Sequence, residues 1–392
     1  MDCEELYIKL SGIAVFRGIL ELDVTKKLMS MLKYRTVESC GDFAAALYKH
    51  GTSLTKYISE VVCADENICL LAAAAGREIP LLIKESVERE LRIFEDVSRI
   101  TPADIQNAMD CGKNISADYL PCWETENVNL SELYVRRLAN VMLTGYGIYE
   151  NHTGFMLKDG KTVPVLTPDP QRLSDLSGYA AERKKIFDNT MALINGKPAA
   201  NALLYGDAGT GKSSTVKAVV NELSGMGLRL IEIKKAQLHL LPDVMSEIST
   251  NPLKFVIFID DLSFAGDDDD FGALKAVLEG SAASKAPNSV IYATSNRFHL
   301  VKESFDDRHG NDVHASDTRE ELLSLSERFG LKVTFAKPDK NTYLSIVKSL
   351  AESYDIDIPE EELFIKAESF ALRRSGRSGR AAKQFVESLL CR

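Results

Sequence analysis

Residues 170–392 predict an α/β domain: a five-stranded parallel sheet, closed by a C-terminal helical lid and preceded by a mostly α-helical region. Three observations carry this. From about residue 170, short and nearly continuous apolar runs alternate with helical patterns, as parallel strands buried on both faces and joined by helical crossovers do. One such run leads into "GDAGTGKS", residues 206–213, with a helical pattern directly behind it. Another, "FVIFIDD", runs straight into two aspartates, Asp260 and Asp261.

The chain has 392 residues, enough for two or three cores, and is 45% apolar and 27% charged, the composition of a folded globular protein. The start, "MDCEELYIKL", is acidic and lacks the apolar stretch of a signal peptide. The most apolar short run, "ICLLAAAA" at 68–75, is too short to cross a bilayer. A cytoplasmic protein with no membrane attachment is therefore expected. The net charge of −10 disfavours nucleic-acid binding through the general field and leaves room only for a local basic patch. The seven cysteines (Cys3, Cys40, Cys63, Cys69, Cys111, Cys122 and Cys391) are odd in number and form no C-x-x-C, which points to buried thiols rather than disulfides or zinc.

Residues 1–150 read as a helical domain. "FRGILELDVTKKLMSMLK" (16–33) has apolar residues at helical spacing, and "ITPADIQNAM" (100–109) sets Thr101 as N-cap before Pro102 at the first helical position. No convergent polar motif lies here, so the region is expected to bind a protein partner rather than hold a second active site. Residues 151–169 read as a β-hairpin turning at Asp159-Gly160, followed by the Pro-rich linker "VPVLTPDPQ". Residues 170–337 carry five candidate strands at 201–205, 228–233, 254–259, 289–294 and 331–335. Residues 338–392 show no strand pattern and read as the helical lid.

"GDAGTGKS" fits G-x-x-x-x-G-K-[ST] in the strand–loop–helix context that motif requires. Gly206, Gly209 and Gly211 let the backbone wrap closely, so that its N–H groups point at phosphates. The expected nucleotide ligands are Gly206, Asp207, Ala208, Gly209, Thr210 and Gly211, with Ser214 in the helix behind them. The helix N-terminus adds partial positive charge. Lys212 reaches the outer phosphates, and Ser213 is a Mg²⁺ ligand.

With that loop upstream, Asp260 is expected to hold the Mg²⁺ shell with Ser213, and Asp261 to orient and activate a water. Alone, the same pair would read as a helix cap or a solvated loop. "IYATSNR" (291–297) ends the fourth strand with polar Thr294, Ser295 and Asn296. Arg328 stands just before the last strand, and Arg377 and Arg380 stand in "SGRSGRAAKQF" ahead of a lid helix. Blander readings stay open: Arg328 paired with Glu327, and "RRSGRSGR" as a nucleic-acid patch. The aspartates at 267–270 read as a helix entry, and "DDRHGNDVHASD", with His309 and His314, as a charged loop rather than a zinc site.

This combination resembles the AAA+ ATPase superfamily. More narrowly, "YGDAGTGKSS", "FIDDLSF", "ALKAVLEGS", "YATSNR", "LSERFGL" and "SGRSGRAAKQFV" are similar to blocks of a bacterial AAA+ family labelled as a domain of unknown function, over about residues 170–392. The resemblance implies a P-loop NTPase (AAA+) fold, with ATP and Mg²⁺ as ligands. It implies that Asn296 senses the γ-phosphate and that Arg328 acts in trans, in the neighbouring subunit's site of a homo-oligomer. Arg380 fits the lid sensor best and Arg377 second. "DLSGYAAERKKIF" (175–187) is similar to the family's N-terminal box, which makes Leu176, Gly178 and Tyr179 the adenine-pocket positions. The paired-aspartate strand end and the "SERF" arginine are similar to those of replication initiators and helicase loaders. "KKAQLHLLPDVMSEI" (234–248) has no Phe, Tyr, Trp or Gly, unlike the pore loop of threading unfoldases.

Three functions follow as expectations. The first is an oligomerising, Mg²⁺-dependent ATPase that remodels or loads a macromolecular partner. The second is a nucleic-acid-associated ATPase, and the third an ATP-gated scaffold with little turnover. Lys212, Asp261, Asn296 and Arg328 are the expected catalytic residues. The shorter reach of Asp261, compared with a glutamate, predicts slow basal hydrolysis.

Overall fold

The structure, a computed structural model, describes residues 2–109, 119–263, 270–279, 286–296, 325–374 and 376–390. The chain divides into two compact units, Met1–Gly147 and Ile148–Arg392.

The first unit is helical: α1 (Cys3–Ser11), α2 (Asp23–Tyr34), α3 (Val37–Leu47), α4 (Leu54–Ala64), α5 (Ile68–Ala74), α6 (Leu81–Ser98), α7 (Pro102–Ala108) and α8 (Leu130–Thr144). Thr101 caps α7 and Asp104 returns a bond to the Thr101 N–H at 2.9 Å, so this helix starts where its capping residues place it. The expected helix at 16–33 is interrupted. Arg17–Glu21 form a 3₁₀ turn and Leu22 is extended before α2 begins. The cause lies in α6: the buried Glu90 carboxylate accepts the N–H groups of Ala14, Val15 and Phe16, which fixes a non-helical entry. Phe16 then packs edge-on against Phe94 and Tyr134, and these three rings lie in the unit's main core.

The second unit is built on a mixed sheet. The hairpin forms as β1 (Gly154–Lys158) and β2 (Lys161–Pro164), with Asp159 and Gly160 both left-handed as a tight two-residue turn requires. Helix α9 (Ala180–Ile194) leads to β3 (Ala202–Gly206), α10 (Lys212–Leu223), β4 (Leu228–Glu232), α11 (Leu241–Ile248), β5 (Lys254–Ile259), α12 (Asp270–Leu278), β6 (Ser289–Ser295) and β7 (Leu331–Phe335). The five strands expected from the sequence form parallel neighbours in the order β4-β5-β6-β3-β7. Phe255 through Ile259 are fully buried, which accounts for the unbroken apolar run.

The sheet has seven strands rather than the expected five. The hairpin does not stand apart as a connector. Strand β1 pairs in parallel with β4 through Gly154–Met156 and covers the unpaired N–H and C=O groups that β4 would otherwise present as an edge. Tyr149 and Thr162 bond the Glu247 carboxylate of α11, which ties the hairpin down from a second side.

The last segment forms α13 (Lys340–Ser353), α14 (Glu360–Arg373) and α15 (Gly379–Leu390), around a small core of their own that includes Tyr343, Val347, Ala367 and Phe385. Among the described residues no helix is long and apolar enough to cross a membrane. Cys3, Cys40 and Cys69 are buried free thiols, Cys63 is half-buried and Cys122 is exposed. Asp267–Asp269, His309, His314, Cys111 and Cys391 lie outside the described residues.

Candidate functional site

A cavity of about 550 Å³ opens at the carboxyl ends of β3, β5 and β6 and is roofed by α13 and α15. Its floor is the loop between β3 and α10. Gly206 has φ of 137°, and a Cβ there would stand 2.1 Å from the Phe335 carbonyl oxygen, so β7 presses directly on the loop's first residue. Gly209 and Gly211 also have positive φ, at 77° and 89°. Ala208 through Ser214 line the cavity. Asp207 turns away from it and accepts the Lys337 N–H at 3.0 Å, clamping the loop to the end of β7.

Lys212 is buried at the start of α10. Its ammonium donates to the carbonyls of Gly206 and Asp207, both at 2.8 Å, and to Asn296 Oδ1 at 3.1 Å. Burial pushes its pKa below the ordinary lysine value, while Asp207, Asp261 and Asp260 pull it back up. The Asn296 amide donates in turn to Asp261 Oδ1 at 2.9 Å. The cation, the amide and the carboxylate thus form one chain, from residues 49 and 84 positions apart from Lys212.

Asp260 accepts the Ser213 hydroxyl at 2.6 Å and the Thr294 hydroxyl at 2.5 Å. Thr294 also accepts the Asp261 N–H at 2.9 Å, so one hydroxyl at the end of β6 positions both aspartates. Asp261 adopts a left-handed φ of 52°, tolerated by Asp, which turns the chain as it leaves β5. The oxygen donors of Asp260 and Ser213 suit a hard divalent cation such as Mg²⁺, which they would hold and whose charge would offset that of a bound polyphosphate. Three glycines with positive φ, which let the loop's backbone wrap closely, and a desolvated lysine among exchangeable carbonyls suit a polyphosphate.

Apolar side chains also face the cavity. Leu176, Tyr179, Ile346 and Leu350 line it. Gly178 is left-handed at 73°, and a Cβ there would press on Ile346 at 3.3 Å. Tyr179 also has positive φ and donates its hydroxyl to the Ala336 carbonyl at 2.6 Å, with its ring against Phe335. Burial pushes its pKa up to about 12.

The two lid arginines separate. The Arg380 N–H donates to the Gly209 carbonyl at 3.1 Å and the residue lines the cavity. Arg377 grips Glu368 with two bonds, at 2.9 and 2.7 Å, and is not among the cavity's residues. Arg328 is not among them either. Its ion pair is with Glu279, at 2.7 Å, rather than with the adjacent Glu327 considered from sequence. Sequence reasoning missed Asp169, Gln171, Arg183 and Lys383, all of which line the cavity. Arg183 lies one turn into α9, its N–H donating to the carbonyl of Tyr179, the residue that caps the helix.

A parallel sheet ordered β4-β5-β6-β3-β7, a phosphate loop after β3, aspartates after β5, a polar residue after β6 and a three-helix lid define a P-loop nucleotide-binding protein of the AAA+ type. The chain belongs to the family described as "Protein of unknown function (DUF815)", whose model matches residues 150–392. No curated protein matches the sequence. Solved structures similar to it include the Thermotoga maritima RuvB Holliday junction branch migration motor, at 17% identity and a TM-score of 0.40 over 57% of this chain. The match covers 65% of the RuvB chain, slightly less than two thirds of its length. The FIGL-1 AAA domain in complex with ADP matches at 17% identity and a TM-score of 0.39, over 56% of this chain and 72% of that one.

Proposed function

We propose that this protein is a Mg²⁺-dependent ATPase that couples slow ATP hydrolysis and self-assembly to remodelling or loading of a macromolecular partner. The observation that carries the reading is the convergence of Lys212, Ser213, Asp260, Asp261 and Asn296 on one cavity through direct hydrogen bonds. Gly206–Gly211 and Ser214 cradle the phosphates, and Lys212 exchanges its carbonyl partners for phosphate oxygens. Asp260 and Ser213 hold the metal, whose charge offsets that of the phosphates. Asp261 accepts a proton from, and aims, the attacking water, while Asn296 fixes the Asp261 carboxylate. Leu176, Gly178 and Tyr179 flank the base, and Arg380 reaches the phosphates from the lid.

Arg328 stands outside its own subunit's cavity, which supports a role on a neighbouring subunit's nucleotide. The helical first unit is the proposed contact for a protein partner. A rate of hydrolysis per subunit that climbs with protein concentration, and is lost in Arg328→Ala, is the expected result. A rate independent of concentration and untouched by Arg328→Ala would sink the coupling to assembly. Affinity capture with Asp261→Asn, which keeps nucleotide but slows its hydrolysis, is expected to retain a specific partner.

A further inference from the structure

Arg183 is a cavity residue that the function above does not use. It lies in the second turn of α9 and is half-buried. Several other polar residues that line the cavity have partners within the protein. The Asp169 carboxylate accepts the Gln171 N–H at 3.2 Å, and Asp175 accepts the Arg172 N–H at 2.7 Å and the Ser174 hydroxyl at 3.1 Å. The Ser177 hydroxyl donates to Ser349 at 2.7 Å, and Lys383 pairs with Glu387 at 3.9 Å. The Arg183 guanidinium has no hydrogen bond or ion pair among the described residues; its one described bond is the helical one from its backbone N–H to Tyr179.

A guanidinium carries five N–H donors and no acceptor. Half-burying it without a partner carries a desolvation cost that the fold itself does not offset. Burial does push the Arg183 pKa below its ordinary value, against the nearby charge of Glu182. A ligand in the cavity can supply the missing acceptors. The position restricts which part of the ligand does so. The loop at 206–213 with Asp260, Asp261 and Arg380 is assigned above to the phosphates, whereas Arg183 stands one helical turn past Tyr179, which is assigned to the base. The ribose and purine of a nucleotide offer a cation placed there acceptors, hydroxyls and a π-face, and all of these suit an arginine.

We propose that Arg183 grips the nucleoside half of the bound nucleotide, its guanidinium donating to the ribose or to the purine ring. The proposal rests on the nucleotide-binding reading and deepens it. Titration calorimetry with ATP, ADP and inorganic tripolyphosphate, on wild type, Arg183→Met and Arg183→Lys, tests it. The Met variant is expected to weaken ATP and ADP by the same factor, about tenfold, and to leave tripolyphosphate unchanged. The Lys variant keeps the charge and stem, serves if the Met variant unfolds, and is expected to lose part of the same affinity. ATP and ADP affinities within twofold of wild type would overturn the proposal. So would a loss that extends to tripolyphosphate, which would place Arg183 on the phosphates. A wild-type protein that binds no ATP would overturn the nucleotide reading itself, and this role for Arg183 with it.

Discussion

Buried charged side chains are held in two ways: Glu90 and Arg137 in the first unit and Arg229 in the second bond mainly to backbone, whereas Lys212 in the second faces a cavity. In the first, Glu90 is 2% exposed and Arg137 8% exposed, and each is bonded mainly to the protein's own backbone. Glu90 accepts three consecutive N–H groups, and Arg137 donates to the carbonyls of Cys63 and Gly145 and to the Thr144 hydroxyl. In the second, Lys212 is 6% exposed, yet it lines an open cavity that it shares with two carboxylates. The desolvation cost is of one kind in both units. What differs is whether the compensating groups are locked into the fold or can be exchanged for a ligand. Both Arg137 and Lys212 donate to two backbone carbonyls, so the distinction is the cavity: an ion enclosed by its partners holds a loop in place, and one that also faces a cavity is available for chemistry.

The largest effects should fall on opposite properties in the two units. Lys212→Ala should lower ATP turnover by about 10²–10³-fold, the loss typical of removing one preorganised charge from a transition state, with little change in melting temperature. A turnover above a tenth of wild type would place Lys212 with Glu90, as a structural ion. Glu90→Ala leaves three backbone N–H groups without their acceptor and should cost about 3 kcal/mol or more of stability. The only tryptophan, Trp123, is buried in the first unit, so its fluorescence during denaturant unfolding reports on that unit. ATP affinity should be unchanged in Glu90→Ala, and a large drop there would break the comparison.

Much of the second unit was legible because its chemistry is contiguous. The residues from Gly206 to Ser213 adjoin one another, and Asp260 and Asp261 end a single apolar run, so motif and strand signal coincide. What could not be read is pairing between distant segments. That Asn296 would join Lys212 to Asp261, or that Thr294 would hold both aspartates, depends on β6 lying between β3 and β5. The docking of β1 on β4 was hidden for the same reason: a hairpin's local pattern sets its turn, not its outer neighbour. In the first unit the break at Leu22 was hidden because its cause, Glu90, lies on another helix.

Alkaline pH should separate the units less sharply. Burial pushes the Tyr134 hydroxyl well above its ordinary 10.0 and the Cys40 thiol from 9.0 to about 11, and Tyr343 in the lid from 10.0 to about 12. Each folded value lies above the unfolded one, so the stabilisation of the neutral forms is complete below the unfolded values. It is lost as pH rises from about 9 through the folded values, and each tenfold difference in proton affinity between the two states is worth about 1.4 kcal/mol. Tyr134→Phe should flatten part of that loss for the first unit. At neutral pH it should cost about 1 kcal/mol, because the Tyr134 hydroxyl donates to Asn67 at 2.8 Å. An unchanged alkaline profile in Tyr134→Phe would remove the tyrosine from this account.

The smallest expected effect tests the comparison inside the lid. Arg377 and Arg380 are three residues apart, yet one is held in the manner of Arg137 and the other in the manner of Lys212. Arg377 is bonded twice to Glu368, and that pairing holds the Glu368 carboxyl below its usual range. Arg380 is anchored by its backbone over Gly209, at the phosphate loop. Arg380→Ala should therefore lower kcat/KM for ATP by about tenfold, the loss of one charge-assisted bond. Arg377→Ala should leave kcat and KM within about twofold of wild type, because a partly exposed ion pair remote from the reacting atoms contributes little. If Arg377→Ala falls as far as Arg380→Ala, Glu368 is a resting partner that Arg377 leaves when nucleotide binds. The distinction between locked and exchangeable partners would then have to be drawn from the bound state.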